Sequence, residues 1–67
     1  MRQVKLTPSE RKVLKLVAES KTRSEIAAEL SISARTVDHH RANIAAKLGV
    51  EGRNGLLVYA IKHRSVL

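Results

Sequence analysis

The stretch TRSEIAAELSISARTVDHHRA, Thr22–Ala42, decides how this chain folds. Thr22 and Glu25 have the T-x-x-E spacing of a capping box: the threonine hydroxyl accepts from the backbone N–H three residues on, and the glutamate accepts from the threonine's own N–H. A helix therefore opens at Arg23. Ile26, Ala27 and Leu30 recur at i, i+1 and i+4, a short stripe suited to burial. Ser31-Ile32-Ser33 then breaks the period, with Ile32 as an apolar plug and Ser33 placed to cap a second helix. That helix runs from Ala34 to Leu48, where Gly49 supplies the residue type favoured just past a helix end. At ~100° per residue Val37, Ile44 and Leu48 share one stripe, while Arg35, Asp38, His39, Ala42, Asn43 and Ala46 occupy the opposite face. That face is small and polar, with no large apolar side chain. Two helices joined by a tight turn, the second with such a face, form a helix-turn-helix over about residues 23–42. Its second helix suits the ~12 Å major groove of duplex DNA.

The flanks extend this unit. Upstream, Leu6-Thr7-Pro8-Ser9-Glu10 holds another T-x-x-E box, with proline at the first helical position. The helix predicted there covers 8–19, with Val13, Leu14, Leu16, Val17 and Ala18 inward and Glu10, Arg11, Lys12, Lys15 and Glu19 on the wet side. Downstream, Asn54-Gly55 is a hairpin turn signal, and a strand over Leu56–Ile61 would make a winged variant. Leu48 to Arg53 do not alternate, however, and Leu57, Ala60 and Ile61 have helical spacing with Lys62, His63 and Arg64 in a favourable last turn. A fourth helix over 54–64 is the reading adopted. The expected fold is all-α: one domain over residues 1–67, a four-helix bundle with helices at about 8–19, 23–30, 34–48 and 54–64.

Composition narrows the function. Sixty-seven residues leave no room for a second domain, and the absence of cysteine excludes disulfides and thiolate zinc sites. Thirteen Lys and Arg against six Asp and Glu give a net charge of +7, which points to a polyanionic partner. Tyr59 is the single aromatic residue, which argues against single-strand binding on stacked aromatic platforms. No apolar run reaches the ~18 residues of a membrane span, and Met1 to Lys5 lacks the apolar core of a signal peptide, so a cytoplasmic protein with no membrane partner is expected. There is no paired-acid, Ser-His-Asp or glycine-rich phosphate pattern, so no enzyme is expected. Nor is a cofactor. His39 and His40 diverge by ~100° on a helix and, with His63, make no i, i+4 ligand pair, so no metal is expected. His40 falls beside the buried stripe as a packing residue, and Arg41 lays its stem over the core. Asp38 either pairs with Arg35 or Arg41 at i, i+3 or meets a base. The start of the third helix, with free N–H groups near Arg35 and the hydroxyls of Ser33 and Thr36, is a phosphate site.

The ordered set Leu6-Thr7-Pro8-x-Glu10-x-x-Val13-Leu14, Glu25-Ile26-Ala27-x-x-Leu30, Ile32-Ser33-x-Arg35-Thr36-Val37, His40-Arg41-Ala42-Asn43-Ile44 and Lys47-Leu48-Gly49-Val50 resembles the LuxR-type (FixJ/NarL-like) DNA-binding domain of bacterial transcription regulators. The resemblance implies a four-helix bundle with its third helix in the major groove and its fourth at a dimer contact. It also implies base-edge contacts at Asp38, His39 and Ala42, and DNA backbone contacts around Thr22, Ser33, Thr36, Asn43 and Lys47. The chain departs from the family pattern at Asp38, where many members have lysine, and at Ser20-Lys21, Gly52, Gly55 and Arg64. If Leu57, Ala60 and Ile61 face inward, Val58 and Tyr59 point away. That surplus apolar surface, with the family's helix 4 contact, implies a weak homodimer favoured on DNA. Further partners implied are an N-terminal receiver or sensor domain and RNA polymerase, the segment being either a free-standing regulator or an excised C-terminal domain. Competing readings are a module that docks on another regulator or on polymerase, and a sigma-factor-like promoter-recognition domain.

Overall fold

The computed structural model describes residues 5–51 and 54–66. Four α-helices follow one another: α1 (Pro8–Ala18), α2 (Arg23–Leu30), α3 (Ala34–Leu48) and α4 (Gly55–Lys62), with a 3-10 turn at Arg64–Val66. No strand occurs among the described residues, and Asn54-Gly55 starts a helix. Gly52 and Arg53, which bear on the winged alternative and on one family departure, lie outside the described residues, as do Met1 to Val4 and Leu67.

Local sequence sets the helix starts. The Thr7 hydroxyl accepts from the Glu10 N–H at 3.1 Å, and Glu10 Oε1 accepts from the Thr7 N–H at 2.9 Å. The same pair of bonds joins Thr22 and Glu25, at 3.1 and 2.8 Å. Ser33 Oγ accepts from the Thr36 N–H at 3.0 Å. Each such cap contributes ~1 kcal/mol. Asn54, before α4, makes no side-chain cap bond.

Three helices also end alike. Ser20 (φ 62°), Ser31 (φ 58°) and Gly49 (φ 69°) adopt the left-handed conformation. The residue after each returns its N–H to a carbonyl of the last turn: Lys21 to Leu16 at 3.2 Å, Ile32 to Ala27 at 3.0 Å and Val50 to Ala45 at 3.1 Å. Only the glycine is free of Cβ strain there. α1 stops at Ala18, one residue before its predicted end, because Glu19 is already the cap. α4 gives way to the tighter turn after Lys62 instead of running to Arg64.

The core forms where the four stripes meet. Val13, Leu14 and Val17 of α1, Ile26 of α2, Val37 and Ile44 of α3, and Leu56 and Ala60 of α4 are buried together. α1 packs on both α3 and α4, and α2 packs on α3. Ile32, the plug between α2 and α3, is half-buried against this cluster with Leu30 and Leu48. Truncating a buried isoleucine costs about 2–5 kcal/mol, comparable to the ~3–5 kcal/mol that one small core supplies, so Ile26 and Ile44 hold the helix-turn-helix in shape.

Two expectations need correction. Glu10 does not lie on the wet side of α1; it is 4% exposed. At ~100° per residue it falls between Leu14 and Val17, and its carboxylate is satisfied where it lies by Thr7 and by Lys47 from α3. α4 is turned by less than one residue step from the predicted orientation. Leu56 and Ala60 face the core, Leu57 and Tyr59 flank them half-buried, and Ile61 is exposed beside Val58. Leu56, at the very start of the helix, is buried in the core, and the rotation that brings it inward carries Ile61 outward.

Candidate nucleic-acid interface

α3 presents one continuous exposed face. Arg35, Asp38, His39, Ala42, Asn43 and Ala46 are all exposed, while Val37 and Ile44 behind them are fully buried. Helical rotation sorts this face into a centre and two edges. Arg35, His39 and Ala46 lie along its middle. Thr36, Asn43 and Lys47 follow one edge, on the side where Lys47 meets α1. Asp38 and Ala42 border the other edge, where an open groove runs between α3, the start of α2 and the start of α4, lined by Thr22, Arg23, Asp38, Arg41, Ala42 and Leu56. His40 is half-buried beside the packed stripe.

The hydroxyls keep donors in reserve. Thr22 Oγ1 spends a lone pair on the Glu25 N–H, which leaves its own hydrogen available to a phosphate oxygen. Ser33 Oγ and Thr36 Oγ1 lie 2.8 Å apart, so one donates to the other and the pair still holds one unused O–H at the start of α3. Arg35 stands exposed in the same first turn, where backbone N–H groups lack helical partners.

Two charged residues of the face are already engaged. Asp38 does not pair with Arg35 or Arg41. Its Oδ2 forms an ion pair with Arg23 Nη2 of α2 at 2.9 Å, with both side chains about half exposed (50% and 54%). The carboxylate lies on the edge of α3 that looks toward α2, which brings Arg23 within reach. Sequence reading missed Arg23. The available signal was its place as the first residue of α2, where the helix dipole disfavours a cation and an acidic partner relieves it. Lys47 Nζ donates to Glu10 Oε1 at 2.6 Å, joining α3 to the start of α1. This bond, followed by that from the Thr7 N–H, holds the Glu10 carboxyl below the ordinary value of 4.5. Glu25, whose carboxylate accepts from the Thr22 N–H, is lowered as well.

On α4, Val58 is 60% and Ile61 44% exposed. Tyr59 instead packs against the core and lies over His63, their ring centroids 4.2 Å apart. Among the described residues no three His, Cys, Asp or Glu side chains converge on a metal position, and no helix is long and apolar enough to cross a membrane.

Residues 4–60 match the family model described as bacterial regulatory proteins, luxR family. The chain is 46% identical over 57 residues to the spore germination protein GerE of Bacillus subtilis, covering 85% of this chain and 77% of GerE. It is 47% identical over 62 residues to the transcriptional regulatory protein LiaR of the same organism, covering 92% of this chain and 28% of LiaR. It is 41% identical over 58 residues to the transcriptional regulatory protein MctR of Rhizobium johnstonii, covering 87% of this chain and 27% of MctR. The matched region thus spans little more than a quarter of the length of LiaR and MctR. With a family match over most of its length and a four-helix fold that exposes the second helix of a helix-turn-helix, the chain belongs to the luxR family of bacterial regulatory proteins and is a DNA-binding domain of transcription regulation.

Proposed function

We propose that α3 enters the major groove and reads bases with Asp38, His39 and Ala42, while Thr22, Ser33, Arg35, Thr36, Asn43 and Lys47 hold phosphates on either side. The observation that carries this reading is the exposed face of α3, on which Asp38, Ala42 and His39 adjoin from the edge near α2 to the middle while hydroxyls and a lysine lie around them. Phosphate contacts fix register and base contacts fix sequence, so the two sets of residues have different jobs. Lys47 reaches a phosphate with one of its N–H donors while another remains on Glu10. A basic domain contacting about five phosphates shows a log–log slope of affinity against salt of about −4 to −5, and a flat slope overturns the reading. Selection of duplexes from a random pool then returns a consensus that His39→Ala or Asp38→Ala alters.

The same reading extends to partners. The chain works as a transcription regulator in the bacterial cytoplasm and carries no catalytic role. Two copies bind adjacent half-sites about one helical turn apart through α4. Val58, with Ile61 one turn on, supplies the apolar contact, and Tyr59 supports it from the flank. So small a patch gives a monomer at micromolar concentration and a dimer on DNA. Val58→Glu with Ile61→Glu abolishes cooperative two-copy binding while leaving one-site affinity intact; unchanged cooperativity removes α4 from the interface. A receiver or sensor domain and RNA polymerase are the protein partners of this reading.

A further inference from the structure

We infer that Arg23 is a specificity-determining residue that acts through Asp38. It holds and neutralises the one carboxylate on the reading face, so that an acid can work inside a groove walled by phosphates. The inference rests on the proposed reading of Asp38 as a base contact.

Asp38 is the single acidic residue of α3. It sits exposed on a face whose partner is a polyanion, where an unpaired carboxylate repels the backbone on both sides. Its base-level use is accepting from the amino group of cytosine, which needs the oxygen aimed into the groove. Arg23 meets both requirements at once. Its Nη2 lies 2.9 Å from Oδ2, an ion-pair distance that fixes the carboxylate, and a carboxylate has acceptor capacity on both oxygens, so it can still accept from a base amino group. The guanidinium comes from a different helix, so the carboxylate is held from across the α2–α3 turn and not by a neighbour that moves with it. Arg23 itself gains little from its own helix, since a cation at the first position of α2 opposes the dipole. A pair this exposed on both sides adds little to stability, so its effect is on how the carboxylate points and how strongly it repels phosphate. Arg41, which lines the same groove, makes no ion pair among the described residues and leaves Arg23 as the cation that engages Asp38.

The test is a double-mutant cycle read as discrimination. Duplexes are first selected with the wild-type domain, and the base pair whose preference disappears in Asp38→Ala is identified. Affinities for the selected duplex and for the same duplex altered at that pair are then measured for wild type, Arg23→Ala, Arg23→Gln, Arg23→Lys, Asp38→Ala and the Arg23→Ala/Asp38→Ala double variant. Arg23→Ala and Arg23→Gln are expected to reduce discrimination at that pair about tenfold, as Asp38→Ala does. The double variant loses no more than either single one, and Arg23→Lys recovers part of the loss. If Arg23→Ala weakens both duplexes equally, and does so additively with Asp38→Ala, Arg23 is an ordinary phosphate contact and the inference fails alone. If Asp38→Ala changes no base preference, the reading of Asp38 falls and the inference with it. Thermal midpoints near that of wild type for all variants show that the folded state is compared throughout.

Discussion

α1 and α2 begin and end with the same chemistry. Each opens on a threonine-to-glutamate capping box with bond lengths that agree within 0.1 Å, and each closes on a left-handed serine. They differ in what the rest of the molecule does with them. Glu10 is buried and clasped by Lys47, whereas Glu25 stays in water with its box alone. The same local signal therefore yields a structural clasp in one helix and a surface cap in the other. The cause is that α1 lies against α3 and α4, and α2 against one side of the bundle.

The largest effect that would break this comparison is on stability. Glu10→Ala leaves Lys47 and the Thr7 N–H without their acceptor, and lowers the thermal midpoint by about 8 °C or more, while Glu25→Ala lowers it by about 4 °C or less. Equal shifts would mean that the clasp contributes nothing beyond the cap.

Acid separates the two helices next. Both carboxylates titrate below the ordinary 4.5 when folded, Glu10 chiefly through Lys47 and Glu25 chiefly through the Thr22 N–H. A lowered folded pKa contributes stability that is fully present above the unfolded value and lost as pH falls through the folded one. Denaturation midpoints should therefore fall with acid below about pH 4.5, and Glu10→Gln should flatten that fall more than Glu25→Gln. A slope unaltered by Glu10→Gln would deny the carboxylate this role.

Lys47→Met sharpens the contrast from the other side, keeping the apolar stem while removing the charge. The Glu10 pKa, followed by NMR, should rise, and affinity should drop for all duplexes alike. A change in the selected consensus would instead make Lys47 a base reader.

The smallest effect concerns the helix ends. Ser20→Gly and Ser31→Gly should each raise stability by about 0.5–1 kcal/mol, because only glycine adopts φ near +60° without Cβ strain. Denaturant unfolding that shows a loss at either position would mean that the serine has an unassigned contact.

Much of the candidate interface is legible in the sequence because α3 is long. Over fifteen residues the stripe of Val37, Ile44 and Leu48 fixes which way the helix faces, and the exposed set opposite it is fixed with it. α4 has eight residues, six of them consecutively apolar from Leu56 to Ile61, so periodicity alone does not fix its rotation; spacing puts Ile61 inward, and it lies outward. The pairing of Arg23 with Asp38 escapes the i, i+3 rule, which sees only partners on the same helix, because this partner arrives across a turn.

The sequence by itself determined where the first three helices start and where α3 stops, since capping boxes, a proline at the first position, a capping serine and a glycine past the end act over four to six residues and need no distant partner. It also determined the buried stripes of α1 and α3, because helical rotation is common to every α-helix. Tertiary structure alone decided that Glu10 is buried, that Lys47 and Arg23 each reach a carboxylate on another helix, and that α4 turns Leu56 inward. These depend on the distance between side chains remote in sequence or held on separate helices, a quantity set only when the helices pack and compete for the same core volume.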